Sequence, residues 1–581
     1  MKKLLAFVTL LIAVAGIGLA GMRLGWAAYP ATANAEQPLS HYVPGGAVLF
    51  LQAKDFSSLL ADWNRSPEKL AWQRSSNYEV FSRSRLLLRL RDAGKQFASA
   101  AGLPPDMDFL NQVAGSQSAL ALYDIGKLQF LYITRLPSAH SMHSQLWQTR
   151  SKFESRSAGG TTFYLRRDHE SGREVAFATS GDYLLLATRE DLMADALQLM
   201  AENAGHDSNH DLEFRNIEAD PWWSQSAAAA GATGDLRMIM NLEKIVPSPY
   251  FRSYWVQQNI TGMKEYSAAV SDLFRSKQEY REERVLLKKV AGGASTGDQP
   301  ENIADLVRLV PEGAGFYQAE GCPSIELCLN PLEAHLLAPQ LATAPVRQFA
   351  PQAQLTSGET GASSDLETRI DQKPAQGASD SLSSSALKTM LQKNQVSAIL
   401  QVRSTQPDRS GVFVKIHSAV ALAGGSDWNE VDARRALAEF VTPTLTVRQL
   451  GVGWKQVGGY YELDGLRTLL AAVRGKYLVI SDDGGLINGI LANVNRKVDL
   501  EPAQFVAGFD HQRERENFAR LATVVDRPDM NASGGLERQP QFFSENIASL
   551  SSTLAGISSE KIVSRNVGDR VLQSVTYEWS H

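Results

Sequence analysis

Gly293-Ala294-Ser295-Thr296-Gly297 spells G-x-S-x-G, the pentapeptide that holds a serine nucleophile on a strained strand-to-helix turn. Acyl-transfer chemistry there needs an apolar strand directly before the glycine, with a supporting histidine and acid. Small and polar residues surround Ser295 as far as Pro300, so the motif is read as part of a connector.

The histidines pose a metal question. His206 and His210 lie four apart within His206-Asp207-Ser208-Asn209-His210-Asp211, a spacing that on a helix lets two imidazoles reach one ion. His140 and His143 form a second close pair. Neither pair has a cysteine-rich frame or a zinc-site spacing, and both stretches read as surface loop. No metal or other cofactor is therefore expected, and the possible meeting of the two pairs is a matter for the fold. His169-Glu170 reads as a hairpin turn.

Three further stretches carry binding potential. Trp222-Trp223, with Trp147 and Trp255, is either an exposed platform for glycan, lipid or protein, or ordinary packing; packing is the preferred reading because aromatics mostly supply buried area. Gln278-Glu279-Tyr280-Arg281-Glu282-Glu283-Arg284 reads as a polar outer strand face or helix end, with a partner-docking edge as the lesser alternative. Acidic residues are scattered, without a pair that stands out for glycoside chemistry. P-loop, dinucleotide and H-E-x-x-H motifs are absent from the sequence. Dispersed catalytic groups remain compatible with that absence.

The composition limits the partners. Basic residues number 58 and acidic residues 63, a net charge of −5, which is no footprint for nucleic acid. At 581 residues the chain is too long for one ordinary core. Lys2 and Lys3 precede an uncharged apolar run from Leu4 to Ala20, the pattern of an export signal. Residues 1–35 are expected to be a signal peptide or a signal anchor. Ala33 and Ala35 form an A-x-A pattern, but Gly18 and Ala20 lie nearer the apolar run. An uncleaved anchor is the slightly preferred reading, with Trp26 and Tyr29 as interfacial aromatics. Lys2 and Lys3 before the run, against Arg23 after it, orient the body outside the cytoplasm.

The elements that must position any site occur twice. Val43-Pro44-Gly45-Gly46-Ala47 opens a buried strand, and Val310-Pro311-Glu312-Gly313-Ala314 opens another, 267 residues on. Gly181-Asp182-Tyr183-Leu184-Leu185-Leu186 corresponds to Gly475-Lys476-Tyr477-Leu478-Val479-Ile480, 294 residues on. The same offset of 294 relates the helical stripe Leu192, Met193, Ala196, Leu197, Met200 to Leu486, Ile487, Ile490, Leu491, Val494. Thr188, with Asp191 three residues on, reads as the start signal of the first of these helices. Gly159-Gly160 and Gly458-Gly459 lead into a further pair of strands, and Leu236–Leu242 is matched to Ala503–Phe509. Tyr280–Leu287 is expected to close the first copy and Val571–Trp579 the second.

The expected organisation is an α+β module over residues 36–290, a linker over 291–301 and a second module over 302–581. Each module is expected to be a mainly antiparallel sheet with helices on one face. Residues 345–385 are poor in aromatics and read as a disordered insert. The signal or anchor, the V-P-x-G-A opening and the Gly-x-Tyr strand before an apolar helix resemble a family of large exported bacterial proteins described only as a domain of unknown function. The resemblance implies an envelope location; it implies no reaction and no site residues.

Cys322 and Cys328 are the only cysteines, and an oxidising compartment favours a disulfide between them. On a straight strand six residues would hold their Cα atoms about 20 Å apart, so a turn near Pro323-Ser324 is required. The leading functional expectation is a non-catalytic envelope protein that binds or assembles through its two modules. The alternatives are an exported hydrolase or metal-dependent enzyme, resting on Ser295 or the histidines, and a carrier of lipid or another apolar ligand.

Overall fold

The structure, a computed structural model, describes residues 38–66, 108–136, 148–169, 172–203, 215–248, 263–276, 279–289, 303–322, 324–332, 385–407, 414–445, 453–464, 468–497, 502–525 and 556–579, besides positions 69, 70, 73, 74, 78, 336 and 337. It divides into two compact units. Unit 1 takes residues 1–292, 525–558 and 567–581; unit 2 takes 293–524 and 559–566.

Unit 1 contains β1 (Leu49–Ala53), β2 (Ser118–Asp124), β3 (Gln129–Arg135), β4 (Glu154–Ala158), β5 (Thr161–Arg167), β6 (Glu174–Ser180), β7 (Tyr183–Ala187), β8 (Leu236–Asn241), β9 (Tyr266–Arg275) and β10 (Glu279–Lys288). Unit 2 contains β11 (Phe316–Gly321), β12 (Ala398–Pro407), β13 (Val414–Ala423), β14 (Gly453–Val457), β15 (Tyr460–Asp464), β16 (Leu469–Arg474), β17 (Tyr477–Ser481), β18 (Phe505–Asp510) and β19 (Ile557–Val567). A last strand, β20 (Arg570–Trp579), falls in unit 1 and pairs with β10. Read from sequence, this strand closes the second module; in the structure it completes the sheet of the first.

Among the described residues, the strand registers are antiparallel. Along the sheet of unit 1 the order is β4-β5-β6-β7-β3-β2-β1-β8-β9-β10-β20. Along that of unit 2 it is β14-β15-β16-β17-β13-β12-β11-β18-β19. Gly181 and Gly475 sit at φ +54° in the tight turns before β7 and β17, a conformation that costs a glycine little.

Among the described residues, the α-helices of unit 1 are α1 (Phe56–Arg65), α2 (Asp108–Val113), α3 (Glu190–Asn203), α4 (Pro221–Ala229) and α5 (Leu242–Ile245). Those of unit 2 are α6 (Ala304–Val307), α7 (Ile325–Leu332), α8 (Ser385–Lys393), α9 (Glu430–Leu445), α10 (Gly484–Ala492) and α11 (His511–Val525). They cover both faces of each sheet, which corrects the expectation of one covered face. In unit 1, Ile239 joins the core beneath α3 and α4, whereas its neighbours Met238 and Met240 pack with Leu242 and Ile245 of α5 on the other side. In unit 2, Tyr477 and Val479 face α10, whereas Leu478 and Ile480 face α7, α8 and α9. The cause is visible in β17, all five residues of which are buried. A strand without alternation of apolar and polar residues needs cover on both sides.

The two apolar stripes are largely helical and face the core. Leu192, Met193, Ala196, Leu197 and Met200 enter the core of unit 1, and Leu486, Ile487 and Ile490 that of unit 2, with Leu491 and Val494, the latter past the end of α10, packed partly buried against it. Helix starts differ. Asp483 caps α10 by accepting from the Leu486 amide at 2.8 Å. Thr188 does not cap α3; its hydroxyl accepts from the Phe130 amide at 2.8 Å and ties β3 to the end of β7.

Candidate functional site

The densest buried charge in unit 1 lies where β8, β9, β10 and β20 run side by side. Strand alternation puts Glu282 and Arg284 on one face and Glu283 and Val285 on the other. Arg284 stands opposite Ser271 of β9 and Gln573 of β20. Glu282 accepts from Arg284 Nε at 2.6 Å and from the Ser271 hydroxyl at 2.6 Å. A second arginine nitrogen reaches the other Glu282 oxygen at 2.5 Å, and a third donates to Gln573 at 2.9 Å. The two side chains are only 6% and 5% exposed.

On the opposite face Asp272 binds Arg237 through two nitrogens, at 2.7 and 2.8 Å, and accepts from the Gly234 amide at 2.8 Å. Glu283 accepts from the Ser574 hydroxyl at 2.9 Å. Buried charges persist only when paired and hydrogen-bonded, and these are. The arrangement fixes which residue lies beside which. The charged run from Gln278 to Arg284, read as a solvated face, is thus partly interior from Glu279 onward. The missed signal is the separation of Glu282 and Arg284 by two residues, which puts opposite charges on one strand face.

Tyr123 and Asp220 hold the V-P-x-G-A opening of unit 1. The phenol donates to the Pro44 carbonyl at 2.8 Å, and Asp220 accepts from the Gly46 amide at 2.8 Å. Burial, reinforced by the nearby Asp195 carboxylate, pushes the Tyr123 phenol up, so it stays protonated as a donor. Burial, with Asp191 beside it, raises Asp195 as well.

Unit 2 has two polar clusters. Glu514 of α11 is buried, bonds the Thr405 hydroxyl and occupies the space where a side chain at Gly315 would begin. Arg513 donates to Ser404 at 2.7 Å and Asn517 to the Thr405 hydroxyl at 3.0 Å, so the network fastens α11 to β12. His417 lies 3.8 Å from both Asp482 and Asp483, beyond hydrogen-bond reach. Asp483 is already committed to its helix cap, and Asp482 accepts from the Ser418 amide at 2.8 Å. Burial raises the Asp482 carboxyl.

The structure brings Cys322 and Cys328 together as a disulfide with Cα atoms 5.7 Å apart, between the end of β11 and α7. Cys328 sits in the core beneath α7, α8 and α9. Trp223 is buried edge-on against Phe50, with ring centroids 4.7 Å apart, and Trp222 is half-buried beside it. His169 is described, outside any strand or helix. Ser295, His140, His143, His206, His210, Trp147, Trp255, residues 1–35 and nearly all of 345–385 lie outside the described residues. Among the described residues no three of His, Cys, Asp and Glu are placed to hold a metal, and no helix is long and apolar enough to cross a membrane.

No family model matches the chain, and no curated protein matches it. Among solved structures, TP0453 in crystal form I is 11% identical, covering 45% of this chain and 83% of its own, with a TM-score of 0.22. TP0453 in crystal form III is 12% identical, covering 49% and 90%, also at 0.22. At that score the likeness carries no argument.

Proposed function

We propose that this is an extracytoplasmic binding or assembly protein that uses one α+β module twice and is not a catalyst. The observation that carries the reading is the strand order. Replacing each of β4-β5-β6-β7-β3-β2-β1-β8-β9 by the strand ten places later reproduces the order in unit 2. Local chemistry supports it. Asn241 at the end of β8 and Asp510 at the end of β18 each accept from the backbone amide three residues on, at 3.1 and 2.8 Å, to start the next helix. A repeated module presents related surfaces twice, which suits a protein that holds partners more than one that turns over a substrate.

The basic, then apolar, N-terminal segment and the joined Cys322 and Cys328 support an oxidising location outside the cytoplasm, by anchor or after cleavage. A reporter active only outside the cytoplasm, fused after His581, should be active. Activity of a cytoplasm-only reporter at that position would overturn the location. Metal analysis and mass spectrometry of organic extracts from the purified body test the rest. One tightly held zinc per chain favours the enzyme alternative, and a co-purifying lipid favours the carrier.

A further inference from the structure

The register of β10 against β20 has a symmetry that ordinary neighbouring strands lack. Leu49 and Phe316 open β1 and β11, 267 residues apart; their partners Met240 and Phe509 lie 269 apart. Leu236 faces Leu273, and its counterpart Phe505 faces Ser564, so β9 and β19 correspond at 291 residues. The hairpins keep that offset: Ser276 and Glu279 bracket the first, Val567 and Arg570 the second. The counterpart of Glu283 is therefore Ser574, and Ser574 is the residue that Glu283 faces.

The rest follows in pairs. Arg284 faces Gln573, the counterpart of Glu282, and Glu282 faces Val575, the counterpart of Arg284. Tyr280 faces Tyr577 and Leu286 faces Val571, each the counterpart of the other's position. This is the register of a strand meeting its own copy about a two-fold axis, an arrangement that closes on itself.

We propose that the β10 edge is a homotypic pairing edge. When β20 does not occupy it, β10 pairs antiparallel with β10 of a second copy of this chain, centred on Glu283. The inference rests on the duplicated-module reading. The sequence of β10 is self-complementary in that register: Glu282 of each copy faces Arg284 of the other, and Tyr280 faces Leu286. On the other face the match is poorer: Arg281 would face Val285 and Glu279 would face Leu287, where β20 offers Thr576 to Arg281 and Leu572 to Val285. At the centre Glu283 would face Glu283, and like charges directly opposite are unfavourable. The serine at position 574 removes that repulsion within one chain and favours β20 as the occupant.

The test uses the full-length chain. A Glu283→Cys/Ser574→Cys variant treated with a short thiol cross-linker should link within one chain, which checks the register. Ser574→Pro/Val575→Pro removes consecutive backbone donors from β20 and frees the edge. This variant should dimerise in sedimentation, and with Glu283→Cys added it should cross-link between copies far better than with Arg281→Cys, because position 281 faces 285. Adding Glu283→Ser instead should tighten the dimer roughly threefold. A folded proline variant that stays monomeric overturns the homotypic edge alone. Absence of the 283–574 link in the full chain removes the register, and with it this support for the duplicated module. Should the prolines unfold the chain, a peptide of residues 279–288 with cysteine at its 283 position is offered to the Glu283→Cys chain. Capture above that of a scrambled peptide supports the proposal, and capture at the scrambled level overturns it.

Discussion

Replacing Arg284 with methionine keeps most of the side-chain volume and strands Glu282. That carboxylate is 5% exposed and would keep only the Ser271 hydroxyl among its described partners. Leaving one member of a buried ion pair uncompensated costs about 3–5 kcal/mol. The double variant Glu282→Leu/Arg284→Met removes both charges. Its residual cost is chiefly buried Ser271 losing its carboxylate acceptor, on the order of 1–3 kcal/mol for a buried polar group left unsatisfied. The double variant should therefore be more stable than Arg284→Met despite carrying the additional substitution. Two units need not unfold together, so the assay is hydrogen exchange at β9 and β10 amides alongside urea unfolding. A loss below about 1 kcal/mol for Arg284→Met would mean that water reaches Glu282. A double variant worse than the single would mean that the pair stabilises unit 1 beyond its desolvation cost.

Three further outcomes are expected. Protein taken from its native compartment and denatured without reductant should show no free thiol from Cys322 or Cys328; two free thiols would refute the bridge. Asp483→Ala should cost about 0.5–2 kcal/mol through the lost cap of α10, read as faster exchange at the Leu486 amide. Lys476 donates to Asp305 at 2.8 Å, and that hydrogen bond lowers the Asp305 carboxyl and raises the Lys476 ammonium. Their stabilisation is present between the ordinary carboxylate and ordinary lysine ranges. It fades as pH falls through the lowered Asp305 value or rises through the raised Lys476 value. Lys476→Met should move the Asp305 titration upward in NMR, with a stability change under about 1 kcal/mol because both groups are well exposed.

The sequence made the strands and helices beginning at Tyr183 and Tyr477 legible, because long apolar runs and a 3.6-residue stripe survive without knowledge of neighbours. The second covered face is encoded too, in the unalternated Leu184-Leu185-Leu186 and Leu478-Val479-Ile480, which a single buried face does not require. Arg237, Asp272, Glu282 and Arg284 were not legible as interior. A charged side chain looks solvated until its partner is known, and the partner of Asp272 lies 35 residues away on another strand. Thr188 has the chemistry of a cap, yet the nearby Phe130 amide claims its hydroxyl. The destination of β20 depends on pairing between residues 289 apart, which no local pattern encodes.

That last pairing bears on how the protein matures. A chain that is synthesised from its N-terminus exposes β10 long before Arg570 emerges. The sheet of unit 1 must wait, open along one side, for a strand made after all of unit 2's strands. Contacts of such long sequence separation form slowly. An uncovered strand edge during the wait is a site for wrong pairing. A tag or lesion near Trp579 would then show its damage in the unit that was made first.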